Sequence, residues 1–266
     1  MLTRLSFDPL PRRAPTAAEP LTVNLRCPPA DVAIPRHRHD WAQLAFPLRG
    51  GMRVFAAGMA WVVPSFRAVW IPPRIDHEVL MLGRVELRTV YVAPEAAPLP
   101  LNVCTVIEVS DLMRALIEAL SEAGDASERR ELMIGLLLAE MRRAPPLSLG
   151  LPLPQDRRLQ SLCQALMDDP GSTLGLEEWA ARVGASARTL ARLFQGELKM
   201  SFGAWRQQLR LARALDLIGR GLPLARVAAD LGYAGPAAFS AMFKRSLGLP
   251  PSRVLREGRS RGTEAT

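Results

Sequence analysis

A pattern that occurs twice in the C-terminal half most constrains the fold. The first copy is WAARVGASARTLARLF, residues 179–194, and the second is VAADLGYAGPAAFSAMF, residues 227–243. Each copy has an alanine, a glycine four residues later, and then two large apolar residues that lie four positions apart. The second copy has one additional residue in the turn. This repetition predicts two similar pairs of helices.

The spacing matches the requirements of a helix-turn-helix motif. A small residue, Ala180 or Ala228, lets two helices cross closely, and Gly184 or Gly232 permits the positive φ of a tight turn. Large apolar residues four positions apart then share the inner face of each second helix. These pairs are Leu190 with Phe194 and Phe239 with Phe243. Plain helical hairpins would show the same spacing, but a tandem pair in a basic segment favours DNA binding.

The second helix of the first copy is expected to enter the major groove of DNA. Ser186 stands where this helix begins and predicts an N-cap. The outward residues are Arg188, Thr189 and Arg192. Arg188 and Arg192 share one face, and arginine is the usual reader of guanine O6 and N7. We therefore expect this helix to supply most base contacts.

The equivalent face of the second copy has few hydrogen-bonding groups. It comprises Pro236, Ala237, Ser240 and Ala241, with Lys244 and Arg245 at the far end. We expect it to make apolar and phosphate contacts. A helix predicted over residues 201–221 joins the copies, and ~17 helical residues span roughly 25 Å. That length can hold two recognition helices about one turn of B-DNA apart, ~34 Å.

Residues 186–218 and 226–256 resemble the C-terminal signature of the AraC/XylS family of bacterial transcription regulators. The resemblance implies sequence-specific binding to promoter double-stranded DNA and activation through contact with RNA polymerase. Two positions depart from the family pattern. Pro223 stands where Ser or Thr often caps a helix, and Ala241 replaces a frequent Arg.

The charge distribution agrees with a nucleic-acid partner. Residues 1–150 contain 17 Lys and Arg against 16 Asp and Glu, whereas residues 151–266 contain 17 against 10. A local basic excess is typical of a surface that meets a polyanion. The apolar runs are shorter than the ~18 to 20 residues of a membrane helix, and the N-terminus has no apolar signal region. Three widely spaced cysteines indicate reduced thiols, so we expect a cytoplasmic protein with no membrane partner.

The N-terminal half has a different pattern. Residues 1–20 predict a loose arm, and short apolar runs separated by Pro and Gly from residue 21 to about 110 predict a β-barrel or sandwich. Gly58 is expected to form a hairpin turn. Two helices at 111–143, with N-caps predicted at Ser110 and Ser127, complete a first domain over residues 21–143.

Apolar residues at helical spacing form one face of each of these helices. They are Leu112, Leu116, Ile117 and Leu120 in the first helix and Leu132, Leu136 and Ala139 in the second. The two faces favour either a homodimer seam or cover for the open side of the sheet. Residues 144–156 predict a linker because Pro and Gly oppose both helix and sheet. A helical domain over 157–256 and a loose tail, 257–266, follow.

The chain has three histidines, and all lie in the predicted β domain. His37 and His39 are separated by one residue, and side chains two apart on a strand share a face. His77 could approach from a neighbouring strand. Three imidazoles suit a divalent transition metal such as Zn, Ni, Fe or Cu. A metal-free effector pocket and a purely structural role are the alternatives.

The N-terminal domain also resembles the cupin-type sensors fused to many AraC/XylS regulators. The cupin signature has H-x-H, a nearby Glu, a Gly-containing turn, and a second motif with Pro and a third His. The matching residues are His37, His39, Gln43 in place of Glu, Gly50 and Gly51 in the turn, and Pro72, Pro73 and His77. On this resemblance Gln43 is a weak neutral fourth ligand of a metal or a hydrogen-bond donor to an effector.

The sequence therefore predicts a two-domain α+β protein with an N-terminal cupin β-barrel, accessory helices and a C-terminal tandem helix-turn-helix. We expect a dimeric, ligand-responsive activator of transcription whose small-molecule or metal effector shifts an equilibrium between two states. The alternative is a cupin metal-dependent oxygenase or isomerase that carries a DNA-binding tail. Gln43 disfavours an enzyme, because a neutral ligand offers less charge to hold a catalytic metal.

Overall fold

The chain divides into two units that meet in sequence at Gly150 and Leu151, with the turn residues Gly58–Ala60 grouped with the second unit. The computed structural model describes residues 14–29, 32–64, 67–122, 127–147, 150–219, 221–247 and 250–252. Most of the predicted arm, residues 1–13, and the predicted tail, 257–266, lie outside these ranges. No helix of the described residues combines the length and apolar character needed to cross a membrane.

The first unit is an antiparallel sheet built around one long pair of strands. Its strands are β1 (Leu21–Arg26), β2 (Ala33–His37), β3 (Ala42–Ala56), β4 (Met59–Pro64), β5 (Arg67–Ile71), β6 (His77–Val92) and β7 (Thr105–Glu108). β3 and β6 pair from Ala42 opposite Val92 to Ala56 opposite His77. β1 and β2 also pair with β6, and β5 lies between β3 and β7. The predicted β domain is confirmed.

Alternation along the strands separates an apolar core from a second face. Leu44 and Phe46 of β3, with Val90 of β6, belong to the core that packs against the accessory helices. The residues next to them in sequence point to the other face of the sheet, where some of them, including Gln43 and Thr89, line a cavity. Because side chains alternate with a period of two, one strand contributes to both.

Two glycine positions show how local backbone conformation shapes the long strand pair. Ala57 and Gly58 both have positive φ, 49° and 71°, which is the pattern of a type I′ hairpin turn. The hairpin predicted at Gly58 is confirmed. The turn predicted at Gly50 and Gly51 is wrong, because β3 continues through both residues with a shift of register. Gly50 has φ 76° and provides a β-bulge in the strand.

The two accessory helices begin at the predicted caps. α1 spans Asp111–Glu122 and α2 spans Glu128–Arg143. The hydroxyl of Ser110 accepts from the backbone N–H of Met113 at 3.1 Å, and that of Ser127 accepts from Arg130 at 3.2 Å. The residues of α2 that pack on the sheet are Ile134, Leu137 and Met141. Leu116, Ile117 and Leu120 of α1 belong to the same core, so the predicted face of α1 covers the sheet except at Leu112, which is exposed. The predicted face of α2 does not cover the sheet, because Leu132 and Leu136 are exposed.

The segment 144–156 contains more regular structure than its Pro and Gly content predicts. It holds β8 (Pro146–Leu147) and β9 (Gly150–Pro152), so the expectation of neither helix nor sheet is wrong. β8 pairs with β7 through Ile107 and Val106. Proline is tolerated at such an edge because a two-residue edge strand needs few backbone donors.

The second unit consists of helices from Arg157 onward. They are α3 (Arg157–Asp168), α4 (Leu176–Arg182), α5 (Ala187–Leu198), α6 (Phe202–Gly219), α7 (Leu224–Asp230) and α8 (Pro236–Leu247). The predicted joining helix is α6, which has 18 residues. Trp205, on α6, is fully buried in the core that α6 shares with α3, α4 and α5. Together the two units confirm the predicted α+β architecture.

Candidate DNA-binding surface and effector site

The two helix-turn-helix copies have the same scaffold. α4 and α5 form the first copy, and α7 and α8 form the second. Gly184 and Gly232 end the first helix of their copies with φ of 66° and 69°, as predicted. A Cβ at Gly232 would collide with the carbonyl oxygen of Gly171. Ala180 and Ala228 are buried at the helix crossings, so the turn and the crossing are built alike.

The inner faces of both recognition helices are also equivalent. Leu190 and Phe194 of α5 and Phe239 and Phe243 of α8 are each 0% exposed. Phe194 contacts the Phe202 and Trp205 rings, and the Phe239 ring lies 5.6 Å from that of Phe243. The predicted inward positions are therefore confirmed.

The outer face of α5 carries two arginines, Arg188 and Arg192, and both are exposed. Ser186 caps the helix by accepting from the backbone N–H of Thr189 at 3.1 Å. The Ser186 and Thr189 hydroxyls also lie 2.9 Å apart. The Ser186 and Thr189 hydroxyls therefore contact each other. Arg188 and Arg192 are the long polar side chains that project from the start of α5.

The outer face of α8 is short and apolar at its start. Pro236 and Ala237 are exposed, Ser240 is half-buried, and Lys244 and Arg245 are exposed at the end of the helix. The first helix of this copy, α7, begins after Pro223, which makes no side-chain capping bond. The two copies thus differ in their surfaces while they agree in their cores.

Part of the basic excess in the second unit has a structural role that charge counting did not reveal. Arg206 of α6 donates to the Leu174 carbonyl at 3.0 Å. Arg210 donates to the carbonyls of Pro170 and Ser172 at 2.9 and 2.8 Å. These bonds fix the loop between α3 and α4 against α6. The sequence gives no sign of this, because both arginines lie on a helix with the spacing of surface residues.

In the first unit, the structure brings all three histidines together. His37 is the last residue of β2 and lies opposite His77, the first residue of β6. The His37 ring centroid is 4.1 Å from that of His77 and 6.0 Å from that of His39. One ligand nitrogen from each residue lies within 4.8 Å of the others. His39 lies two residues beyond the end of β2, so it is not on the strand, but its ring converges with that of His37 as predicted.

Backbone carbonyls fix the tautomer of each imidazole. The Nδ1 atom of His37 is 2.9 Å from the Pro35 oxygen, and that of His77 is 2.9 Å from the Ile75 oxygen. His39 Nδ1 is 2.7 Å from the Trp41 oxygen. A carbonyl can only accept, so each Nδ1 carries the proton and each Nε2 presents a lone pair. Nδ1 bonds of this kind also orient histidines that bind metals.

Burial keeps the three rings neutral. It lowers the pKa of His37 and His39 below the ordinary value and lowers the pKa of His77 to about 3. His77 is 1% exposed. Its Nε2 atom is buried and has no hydrogen-bond partner among the described residues. The cluster is therefore a set of neutral acceptors, one of which is unsatisfied.

Gln43 lies beside the cluster in β3 and contacts one of its members. Its side-chain oxygen is placed 2.7 Å from His39 Nε2. A neutral His39 can only accept at Nε2, and the two orientations of an amide occupy the same space. The orientation that satisfies both groups is the one in which the Gln43 amide N–H donates to His39.

The cavity next to the cluster is lined mainly by residues that sequence reasoning missed. They are Arg26, Ile34, Ala45, Met52, Val79, Leu87, Thr89 and Tyr91, together with His37 and Gln43. Counting in twos along β6 from His77 reaches Val79, Leu87, Thr89 and Tyr91, so the signal was present in the sequence. It becomes usable only when β6 is known to run unbroken over 16 residues.

Comparisons with known proteins match both units of the chain. A family model described as an AraC-like ligand binding domain matches residues 25–137, and one described as a helix-turn-helix domain matches residues 179–257. The HTH-type transcriptional regulator NimR of Escherichia coli K12 is 33% identical over 229 residues, which are 85% of this chain and 83% of NimR. The arabinose operon regulatory protein of the same strain is 28% identical over 197 residues, 72% of this chain and 62% of that protein.

Proposed function

This chain belongs to the AraC family of ligand-responsive transcription regulators, and we propose that it recognises promoter DNA chiefly through α5. The observation that carries the proposal is the pair of exposed arginines, Arg188 and Arg192, on a helix whose opposite face is fully buried. Bidentate contacts from arginine to guanine can supply base readout in the major groove. We propose that Lys244 and Arg245, which are exposed at the end of α8, bind phosphate groups.

Selection from a library of duplexes with randomised cores tests this function. The purified protein should enrich duplexes that share one sequence motif, and the selected duplex should bind at least ~10³-fold more tightly than a shuffled one. Equal affinity for selected and shuffled duplexes would contradict sequence-specific recognition. Salt concentration must be held constant, because phosphate contacts make both affinities depend strongly on it.

We propose that the effector binds in the cavity beside the histidine cluster of the β domain. Support comes from the position of the AraC-like ligand binding match and from the polar groups that converge there, including Gln43, Thr89 and Tyr91. An effector can change the affinity for DNA only if it binds one of two states of the protein more tightly than the other, and the ratio of its two affinities limits the size of the change. Thr89→Val, which removes a hydroxyl from the cavity wall, is expected to weaken the response to effector and leave effector-free DNA binding unchanged.

We further propose that α2 forms a homodimer interface through its outer face. Leu132 and Leu136 are 68% and 44% exposed. The helix has Glu128 and Glu131 in its first turn and Arg142 and Arg143 in its last. An antiparallel pair of such helices places the acidic end of each against the basic end of the other, which suits a two-fold interface. Sedimentation should show a dimer for the native protein and a monomer for Leu132→Asp.

In the cell, we propose that the protein is cytoplasmic and activates transcription through RNA polymerase, as the family resemblance implies. Transcription in vitro from a promoter that contains the selected motif provides the test. The transcript level should rise when the protein is added to RNA polymerase. A fall in transcript would show repression instead.

A further inference from the structure

We propose that Arg210 of α6 locks the second helix-turn-helix copy to the first, so that α8 meets the DNA backbone at a fixed position relative to α5. The proposal rests on the DNA recognition proposed above and assigns a positioning residue to it. The helix α6 joins the two copies in sequence. A second contact, between a loop of the first copy and the turn of the second, joins them in space.

The loop between α3 and α4 touches the turn of the second copy through backbone atoms. This loop belongs with the first copy, because its Leu174 packs on the core that contains α4 and α5. A Cβ added at Gly171 of the loop would lie 2.7 Å from the carbonyl oxygen of Asp230, and one added at Gly232 would collide with the carbonyl oxygen of Gly171. Glycine permits so close an approach of two backbones. The two copies therefore meet at a pair of glycines.

Arg210 holds both sides of this contact. Its Nε donates to the carbonyl of Pro170 at 2.9 Å, and its Nη2 donates to that of Ser172 at 2.8 Å. Its guanidinium also lies over the ring of Tyr233, in the turn of the second copy, at 5.4 Å from the ring centroid. A guanidinium can do both, because its donors lie in its plane and its faces remain free to stack on an aromatic ring. Arg210 thus bonds the first copy with its edge and contacts the second with its face.

Tyr233 carries the contact onward to α8. Its ring centroid lies 5.7 Å from that of Phe239, which is fully buried on the inner face of α8. Lys244 and Arg245 are exposed at the end of the same helix. Because protein interiors are close-packed, a displacement of the tyrosine ring displaces the helix that packs on it. The position of the two proposed phosphate-binding residues therefore depends on Arg210.

Arg206, one turn earlier in α6, has contacts of a different kind. It donates to the carbonyl of Leu174, in the same loop, at 3.0 Å. Its guanidinium lies over the ring of Phe202 at 5.0 Å from the centroid, and Phe202 belongs to the core of the first copy. Both of these groups are on the side of the first copy, whereas Arg210 contacts both copies. The two arginines therefore form a matched pair for experiment.

The salt dependence of binding to the selected duplex tests the lock in Arg210→Lys. Lysine keeps the positive charge, but it has no planar fork that bonds two carbonyls while it stacks on a ring. We expect the slope of log affinity against log salt to fall by ~1–2, because Lys244 and Arg245 should each contribute ~1. The guanine preference that Arg188 supplies should remain. Arg206→Lys is the matched control and should keep the native slope.

Coupling between Arg210 and Lys244 separates positioning from a general loss of stability. Lys244→Ala should reduce the slope by ~1 in the native protein and by less than ~0.5 in the Arg210→Lys background. An Arg210 that only stabilises the fold would lower the free energy of unfolding and leave the two effects on the slope independent. A native slope in Arg210→Lys, or a full effect of Lys244→Ala in that background, would overturn the proposal.

Gly171→Ala tests the same contact without a change of charge, and it replaces Arg210→Lys if that variant fails to fold. The added Cβ must push the loop and the turn apart, so the slope should fall and should respond less to Lys244→Ala. Gly175→Ala is the control for this change, because a Cβ there meets its nearest atoms at 3.6 Å, an ordinary contact distance. A native slope in Gly171→Ala would contradict the lock.

Failure of the lock and failure of the proposed function give different results. If Arg188→Ala abolishes the guanine preference while Arg210→Lys and Gly171→Ala bind as the native protein does, recognition by α5 stands and the lock is wrong. If Lys244→Ala and Arg245→Ala both leave the native slope unchanged, α8 binds no phosphate there and the lock is overturned with that part of the proposed function. If no duplex is enriched, the proposed function itself fails.

Discussion

The two helix-turn-helix copies of this chain share a scaffold and differ in surface. Each has a buried alanine at the crossing, a glycine of positive φ in the turn, and an aromatic residue packed under its second helix. Yet α5 projects Arg188 and Arg192, whereas the start of α8 projects Pro236 and Ala237. The scaffold follows from the requirement that two helices cross closely. The outer face is free of that requirement, so it is the part that can specialise for base recognition.

The largest expected effect concerns the shared scaffold. Phe194→Ala and Phe239→Ala each remove a fully buried ring and should lower the free energy of unfolding by ~3–5 kcal/mol. Urea unfolding followed by circular dichroism provides the measurement. Similar losses support equivalent cores. A loss under about 1 kcal/mol in one copy would show that its aromatic residue is not a core residue of the same kind.

The next effect concerns base recognition. Arg188→Ala and Arg192→Ala should each weaken binding to the selected duplex by ~1–3 kcal/mol, because each removes a bidentate contact to a base. Ser240→Ala is the counterpart in the second copy and should change the affinity by less than ~0.5 kcal/mol. Electrophoretic or fluorescence titration at one salt concentration gives the three values. Unchanged affinity in both arginine variants would refute the role assigned to α5.

A smaller effect concerns the helix caps. Ser186→Ala removes a bond to the backbone N–H of Thr189 and should reduce the free energy of unfolding by ~1 kcal/mol. Pro223→Ser offers the second copy a hydroxyl where it has no side-chain cap. We expect its stability to equal or exceed that of the native protein. A destabilisation of more than ~1 kcal/mol would mean that Pro223 contributes through its rigid ring.

The smallest effect on specificity should come from the end of α8. Lys244→Ala and Arg245→Ala each remove an exposed positive charge, and each should reduce the slope of log affinity against log salt by ~1 if it contacts a phosphate. Selected and shuffled duplexes should lose affinity in equal proportion. A loss confined to the selected duplex would assign base readout to the second copy too.

Sequence reasoning succeeded where structure depends on neighbouring residues. The caps at Ser110, Ser127 and Ser186 and the glycines of the turns are local signals, and the structure has them as predicted. The same holds for the hairpin at Gly58. In each case the residue itself supplies the hydroxyl or the backbone freedom that the conformation needs.

Sequence-based prediction was less complete for contacts that depend on the relative positions of several helices or strands. The segment LMIGLLLAEM of α2 is apolar on almost every side, so periodicity cannot tell whether Leu136 or Leu137 meets the sheet. The Gly50 bulge depends on the register of β3 against β6. The contact between Gln43 and His39 depends on the path of the segment that joins β2 to β3. Long-range register and loop geometry set these contacts, and one sequence does not encode them in a readable pattern.

Selection from the randomised duplex library tests the central claim. The claim is that the two helix-turn-helix copies share a scaffold, but that the first recognises bases strongly and the second recognises them weakly. The account predicts a motif with most of its sequence information in one half-site, which contains guanine, and little information one helical turn away. In Arg188→Ala the strong half-site should lose its guanine preference. Two half-sites of equal information, or a native motif that Arg188→Ala leaves unchanged, would contradict it.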